Sequence, residues 1–472
     1  MQREILEILR QEQGKVLYKI DGEEITYEEV YKRVIEVAAN LEKQGDMPVI
    51  VYGDKSVDQF VAILACLVAK RCYIPIDTKM PISRIEEIIR KTKASLVLKN
   101  EDIVVNDVEV LTLLDLVNKY KDVKNKVKQE NDIAYIIFTS GSTGNSKGVP
   151  ISYSNLEHFV EWITKHKYYQ KIKGQKILSQ ASFSFDLSLM DIYFSIYTRS
   201  TIIAISPEQK LDLNYLLEIM RDEEINFLVL TPTFVKLLLL AKEWNAENYG
   251  ALKEIFFCGE VLETNTCKKI KQRFPRVRVI NAYGPTEATC CVSLVEVTDN
   301  MLESAYLPVG EISDSAVKIE IKDKEIVLKG ASVFAGYLDF SADNCYREEG
   351  ENCYKTGDRG EIRNNYLFCY GRLDNQVKYH GYRIELGDIE NNLLKVKGVK
   401  EAVVVAKKAD SFSWVKLIKA YVVLDEEVAV EKIKDELRKY IPIYMVPKII
   451  KVLPAIPINN NGKYDRKRLS EE

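Results

Sequence analysis

The 472-residue sequence has only three histidines, and its nine cysteines (66, 72, 258, 267, 290, 291, 345, 353 and 369) form no Cys-x-x-Cys pair. A structural zinc site needs clustered Cys or His ligands, so a zinc-stapled architecture is excluded. An odd set of scattered thiols in a chain of this size reads as free cysteines in a reducing compartment. Net charge is also missing, since 67 basic residues face 70 acidic ones and leave −3. No basic excess draws the chain toward nucleic acid or anionic membrane. No apolar run reaches the ~18 residues that suggest a spanning helix, and the longest candidate, 57–69, is interrupted by Asp58 and Gln59. The opening MQREILEILRQEQGK is a charged amphipathic helix without the apolar core of a secretory signal. These absences predict a cytoplasmic protein with no nucleic-acid partner and no membrane insertion.

What is present is enough apolar material, 46% of the residues, to fill more than one core, and a length that calls for at least two domains. Short apolar runs alternate with helical patterns. PVIVY (48–52) is followed by Ser56-x-x-Gln59, a capping box opening a helix to residue 69, and then by CYIPI (72–76). Leu213, Leu216, Leu217 and Met220 recur at helical spacing before the strand-like NFLVL (226–230). This alternation predicts an α/β fold, largely parallel sheets with covering helices. Beyond about residue 372 the scale changes. A helix is expected over 386–397, strands over 402–406 and 417–424, a helix over 430–440 and a strand over 448–452. That describes a compact α+β unit of about 100 residues. The joint falls in the polar stretch 371–376, so the expected domains are 1–373 and 374–472.

The segment IIFTSGSTGNSKGV (136–149) carries the clearest chemistry. A β-run enters Thr139, Ser140, Gly141, Ser142, Thr143 and Gly144, and Lys147 follows. Glycines let the backbone close around a ligand, hydroxyls and N–H groups donate to phosphate oxygens, and the lysine adds a point charge. It is not a Walker A loop, which needs Gly before and Ser/Thr after the Lys, so a P-loop NTPase is disfavoured. In NAYGPTEAT (281–289), Tyr283 offers a ring to a nucleobase and Glu287 a hard oxygen to Mg²⁺, against the alternative of a turn around Gly284-Pro285.

With YIPID (73–77), YKTGDRG (354–360), GRLDNQVKYHGYRIELGDIE (371–390) and NNNGKYDRKRL (459–469) in the same order, the chain resembles the adenylate-forming superfamily over nearly its whole length. The resemblance implies ATP and Mg²⁺ as cofactors, with adenine against Tyr283, the ribose held by Asp358 and Arg372, and magnesium at Glu287. It adds Gly259, Glu260, Asn281, Gly284 and Thr286 to the nucleotide's surroundings. Lys463 would bridge the substrate carboxylate and the α-phosphate, although a tail lysine by itself reads as solvated. The small domain is then mobile, pivoting at Asp374 and turning Gly381 toward an incoming thiol.

Asp186, in ASFSFDLSLMDIY, aligns with the carboxylate that grips the amino group of an amino-acid substrate. A carboxylate among Phe, Leu and Met is unfavourable without a cation; the plainer reading is an N-cap for the following helix. FSFDLSLMDIY, FFCGEVL (256–262) and NAYGPTEAT resemble the D-alanine-activating subfamily that serves teichoic acid D-alanylation through a separate phosphopantetheine carrier protein. That resemblance implies a small amino acid as substrate, with Met190 and Cys258 against its methyl and Cα and Ala282 and Cys290 near the floor. The chain departs from it at Thr198-Arg199-Ser200-Thr201, at Ala282 and at Cys290-Cys291, where packing is the expected role of the thiols. Alternatives are activation of another small amino acid for peptide synthesis, an acyl-CoA synthetase, and a catalytically silent nucleotide-binding protein. Asp186 argues against the second, and an intact Lys463 with Glu287 against the third.

Overall fold

The computed structural model describes residues 1–121, 123, 132–141, 146–169, 173–338, 342–374, 376–379, 382–408, 415–458 and 464–471. Ser142, Thr143, Gly144, Gly381 and Lys463 therefore lie outside the described residues.

Two mostly parallel sheets form the bulk of the chain. One has six strands in the order Glu109–Leu111, Leu96–Lys99, Val49–Tyr52, Tyr73–Ile76, Ile133–Thr139, Lys147–Ser152. The other has eight and places Phe227–Leu230 between Lys176–Ser179 and Glu254–Phe257, with Arg278–Tyr283 next and antiparallel Ser293–Glu296 at its edge. The inner strands of both sheets are buried along their length. That is what near-continuous apolar runs such as VIVY and FLVL require when helices cover both faces. The helix Val57–Val68 lies almost wholly inside the core. A third, antiparallel assembly is built on the long strand Glu351–Arg363, paired with Glu325–Lys329 and Tyr366–Arg372.

After Arg372 come the hairpin Gln376–Tyr379/Tyr382–Glu385 and a three-stranded sheet of Val399–Lys408, Val415–Leu424 and Ile449–Val452. The helices Leu386–Leu393 and Val430–Leu437 pack on this sheet around a core of their own that includes Ile389, Val404, Ala420 and Ile433. No helix among the described residues is long and apolar enough to cross a membrane.

Two local expectations in the large unit need correction, and in the small one the helix expected over 386–397 stops at Leu393. Ser56 caps its helix by accepting from the Gln59 N–H at 3.0 Å, but the Gln59 side chain donates to the Gly53 carbonyl at 2.7 Å. Only half of the expected box is made. The strand expected from 226 starts at Phe227, because Asn226 spends its side chain on the Lys176 N–H and the Ala251 carbonyl.

Candidate active site

The strand Ile133–Thr139 and the turn after Arg278–Tyr283 both end at the same cleft, which the hairpin of the small unit covers. Thr139, Ser140, Asp186, Gly259, Gly284, Thr286, Asp358 and Arg372 all face this cleft. Glu260, Ala282, Tyr283 and Asp374 line an adjoining one. Met190, Cys258 and Cys290 are buried behind these walls. The Asn281 side chain points elsewhere and donates to the Pro308 carbonyl at 2.7 Å.

Gly284 has to be glycine for a spatial reason. A Cβ there would sit 2.4 Å from Cys291 Cα and 2.8 Å from the Cys290 carbonyl oxygen. The chain it meets is itself strained, with Thr289 at φ 61° and Cys290 at φ 74°. Left-handed backbone at non-glycine residues costs about 1–3 kcal/mol each and collects at functional sites. Cys290 and Cys291 are both buried, and among the described residues no cluster of metal-ligating side chains occurs. Their place is in the packing under the Tyr283–Gly284 turn.

Asp358 lies within the strand Glu351–Arg363, at a shift in its register, and the preceding Gly357 is again required: φ is +72° and a Cβ would lie 2.5 Å from Arg372 Nη2. Tyr283 Oη donates to Asp358 Oδ2 at 2.7 Å, and Arg372 Nη1 lies 3.2 Å from Asp358 Oδ1. Arg372 also pairs with Asp374, its Nε donating to Oδ1 at 2.9 Å. The expected ribose ligands, adenine-facing tyrosine and pivot thus form one connected chain.

Glu287 is fully enclosed. Tyr337 Oη donates to its Oε1 at 2.7 Å and Arg383 Nη1 to its Oε2 at 2.6 Å. Burial alone would push this carboxyl up, but the guanidinium and the hydroxyl hold it below its ordinary value. Lys147 stands 5.6 Å from the Tyr337 ring centroid, which links the lysine expected at the phosphates to the same cluster. Ser140 accepts from the Glu385 N–H and donates to the Arg383 carbonyl, both at 2.9 Å, so the hairpin backbone docks directly on the loop. Tyr382 completes the docking, edge-on to Phe185 at 4.7 Å and stacked on Tyr444.

Asp186 does not cap the helix that follows it. Ser188–Thr198 has Leu187 at its N-cap and no side-chain cap bond. Burial pushes the Asp186 carboxyl above its ordinary value, and a hydrogen bond from Thr286 and the charge of Lys378 offset this only in part. Among the described residues it makes no ion pair. Burial likewise raises the neighbouring Cys258 thiol, keeping it neutral.

Several participants escaped the sequence reading. Arg383 and Lys378 lie inside the recognised 371–390 segment, where two cations paired across a short hairpin were the available signal. Tyr337 and Arg84 carried none. Arg84 joins the two units: it donates to the Tyr440 carbonyl at 2.7 Å, to Ser146 Oγ at 2.9 Å and to Asp388 Oδ1 at 2.7 Å.

With this geometry in place, the AMP-binding enzyme family matches residues 7–338, and the AMP-binding enzyme C-terminal domain matches 388–463. The chain belongs to the AMP-binding enzymes. It is an ATP-using ligase of that family. This AMP-binding enzyme is 36% identical over 492 residues to the D-alanine–D-alanyl carrier protein ligase of Listeria monocytogenes serotype 4a, covering 96% of this chain and 95% of that one. It is 35% identical over 479 residues to the protein of that name from Staphylococcus epidermidis, covering 99% and 98%. Among solved structures, the Vibrio cholerae adenylation domain AlmE, in complex with glycyl-adenosine-5′-phosphate, superposes with a TM-score of 0.86 at 21% identity, covering 99% of this chain and 96% of that one. Holo-PA1221, a peptide-synthetase protein containing adenylation and PCP domains, superposes at 0.83 and 21%, covering 99% and 83%. The expected fold, a large unit of mixed and parallel sheets followed by a smaller C-terminal unit, is the adenylation-domain fold these structures share.

Proposed function

We propose that this enzyme activates D-alanine as D-alanyl-AMP, releasing pyrophosphate, and then passes the D-alanyl group to the phosphopantetheine thiol of a separate carrier protein in the cytoplasm. One observation carries the reading: Asp186 is a half-buried carboxylate that caps no helix, contacts a hydroxyl but, among the described residues, no cation, and faces the cleft. A substrate ammonium supplies the missing charge, which a fatty or aryl acid lacks. The share of sequence held in common with D-alanine–D-alanyl carrier protein ligases supports the choice of amino acid and acceptor.

In this reading residues 1–373 bind the nucleotide and the amino acid, and 374–472 swing between two duties. The loop from Thr139 to Lys147 holds the phosphates, Asp358 and Arg372 the ribose, and Tyr283 the adenine. Glu287 suits Mg²⁺, since one buried carboxylate together with substrate phosphates is the usual way that ion is held. When bound, the ion neutralises phosphate charge. Lys463 is assigned to bridge the substrate carboxylate and the α-phosphate, since an attack of one anion on another needs a cation. After pyrophosphate leaves, rotation at Asp374 brings the hairpin with Gly381 over the cleft. The thiol sulfur then bonds to the acyl carbon, the acyl–phosphate C–O bond breaks, AMP departs with that electron pair and the thiol proton goes to solvent.

The test is ATP–pyrophosphate exchange across D- and L-amino acids and fatty acids. D-alanine is expected to support the fastest exchange. Preference for L-alanine or a larger side chain overturns the substrate but leaves adenylation standing, whereas exchange with fatty acids alone supports the acyl-CoA synthetase reading.

A further inference from the structure

Beside the proposed nucleotide cleft lies a cavity open to solvent that runs from Phe185, Asp186 and Gly259 to Lys79, Pro207 and Lys210. The last three neighbour exposed Thr78, Glu208 and Leu211, so that end is its mouth. A third lysine on the wall, Lys55, is engaged: its amine donates to the Ser179 carbonyl at 2.8 Å, and Ser179 Oγ in turn donates to Asp191. Lys79 and Lys210 are different. Among the described residues neither amine makes a hydrogen bond or an ion pair, and Lys210 lies over the Phe234 ring at 5.8 Å.

The carboxylates of the cavity are taken by neutral donors. Asp77 accepts from Ser182 Oγ and from the Lys79 N–H, both at 3.2 Å, and Asp54 accepts from Thr78 Oγ1 at 2.6 Å. Burial, and after it the charge of Lys79, hold the Lys210 amine down at about 8 in spite of Glu260, Asp77 and Asp191 nearby. Two cations that disfavour each other in a half-enclosed space, with no carboxylate in contact, are relieved by an anion bound between them. Thr139, Ser140 and Ser146 of the loop proposed for ATP line the neighbouring cleft instead, and none of the described residues of 139–147 borders this cavity.

We infer that Lys79 and Lys210 cradle the phosphate of the phosphopantetheine arm, whose thiol reaches the acyl group beside Asp186 through this cavity. The assignment rests on the thioester-transfer reading and adds to it the residues that recognise the arm's only charged group. Lysine suits the role, being a point charge that does not demand a planar partner.

Free 4′-phosphopantetheine and free pantetheine carry the same thiol and differ in the phosphate, which makes them the probes. With D-alanine and ATP–Mg²⁺, the wild-type kcat/KM for phosphopantetheine is expected to exceed that for pantetheine at least tenfold, and the gap should narrow as salt rises. In the Lys79→Gln/Lys210→Gln double variant the ratio should fall to about one. Equal use of the two acceptors by wild type, or an undiminished ratio in the variant, overturns the cradle while leaving transfer intact. Pyrophosphate exchange is measured alongside; if the variant loses exchange, the wild-type acceptor and salt comparison decides alone. If wild type acylates neither probe nor a holo carrier protein, the transfer reading falls and the cradle with it.

Discussion

Arg383 Nη1 lies 2.6 Å from Glu287 Oε2, placing a guanidinium of the small unit on the carboxylate proposed to hold Mg²⁺. The ion and the arginine cannot both occupy that oxygen. The arrangement seen here therefore suits the enzyme after pyrophosphate and metal have gone, with Arg383 compensating a carboxylate that would otherwise be stranded.

Arg383→Ala should impair thioester transfer more than adenylate formation. Truncating one partner of a buried charge pair costs about 2–5 kcal/mol, so transfer from preformed adenylate is expected to slow about tenfold or more. Pyrophosphate exchange should stay within a few-fold of wild type. Single-turnover transfer and exchange, run on the same preparation, check this; an equal fall in both contradicts it.

Arg84 and Asp388 form a second tie between the units, both almost fully buried. Removing one partner leaves an uncompensated buried charge, a loss of about 3–5 kcal/mol. Arg84→Met should therefore depopulate the docked arrangement and slow transfer while exchange persists. Small-angle scattering with and without a nonhydrolysable adenylate analogue should show a wider spread of arrangements in the variant. An unchanged profile together with unchanged transfer removes this role.

Cys258→Ala should relax chirality. The two alanine enantiomers share every group, so discrimination depends on where the methyl is made to point, and one wall contact supplies ~1–3 kcal/mol. The D-over-L ratio of kcat/KM is expected to shrink about tenfold. Asp186→Ala should weaken both enantiomers alike. A ratio unmoved in the Cys258 variant removes the thiol from the wall.

The same carboxylate sets a pH dependence. Burial raises the Asp186 pKa above the ordinary 3.8, so falling pH protonates it early and removes the charge that grips the ammonium. kcat/KM for the amino acid reports the free enzyme, and it should decline on the acid side at a pH above 3.8. The KM for ATP, measured in parallel, should not share that limb. A common acid limb for both substrates assigns it to another group.

Much of this was legible in the residues. The alternation of apolar runs with helical patterns locates the parallel sheets, and the run at 136–149 places a strand ending at Thr139, because those signals are local. Asp186 was legible as an unusual carboxylate, but whether it capped a helix depended on where Ser188–Thr198 begins. The helix expected over 430–440 stops at Leu437, and the carbonyls of Lys439 and Tyr440 instead accept from Ser83 and Arg84 of the large unit. Those partners are 356 residues apart in the chain, beyond any spacing rule. The Arg383–Glu287 pair spans 96 positions, and only the fold says which of many acids and bases meet.

Gly284 touches Cys290 and Cys291 so closely that the turn proposed for the nucleotide and the proposed floor under the substrate share one wall. An engineer who enlarges that floor at Cys290 or Cys291 should expect Tyr283, the proposed adenine face, to move as well. Retargeting the enzyme to a bulkier amino acid should therefore leave Cys290 and Cys291 as they are and begin at Met190.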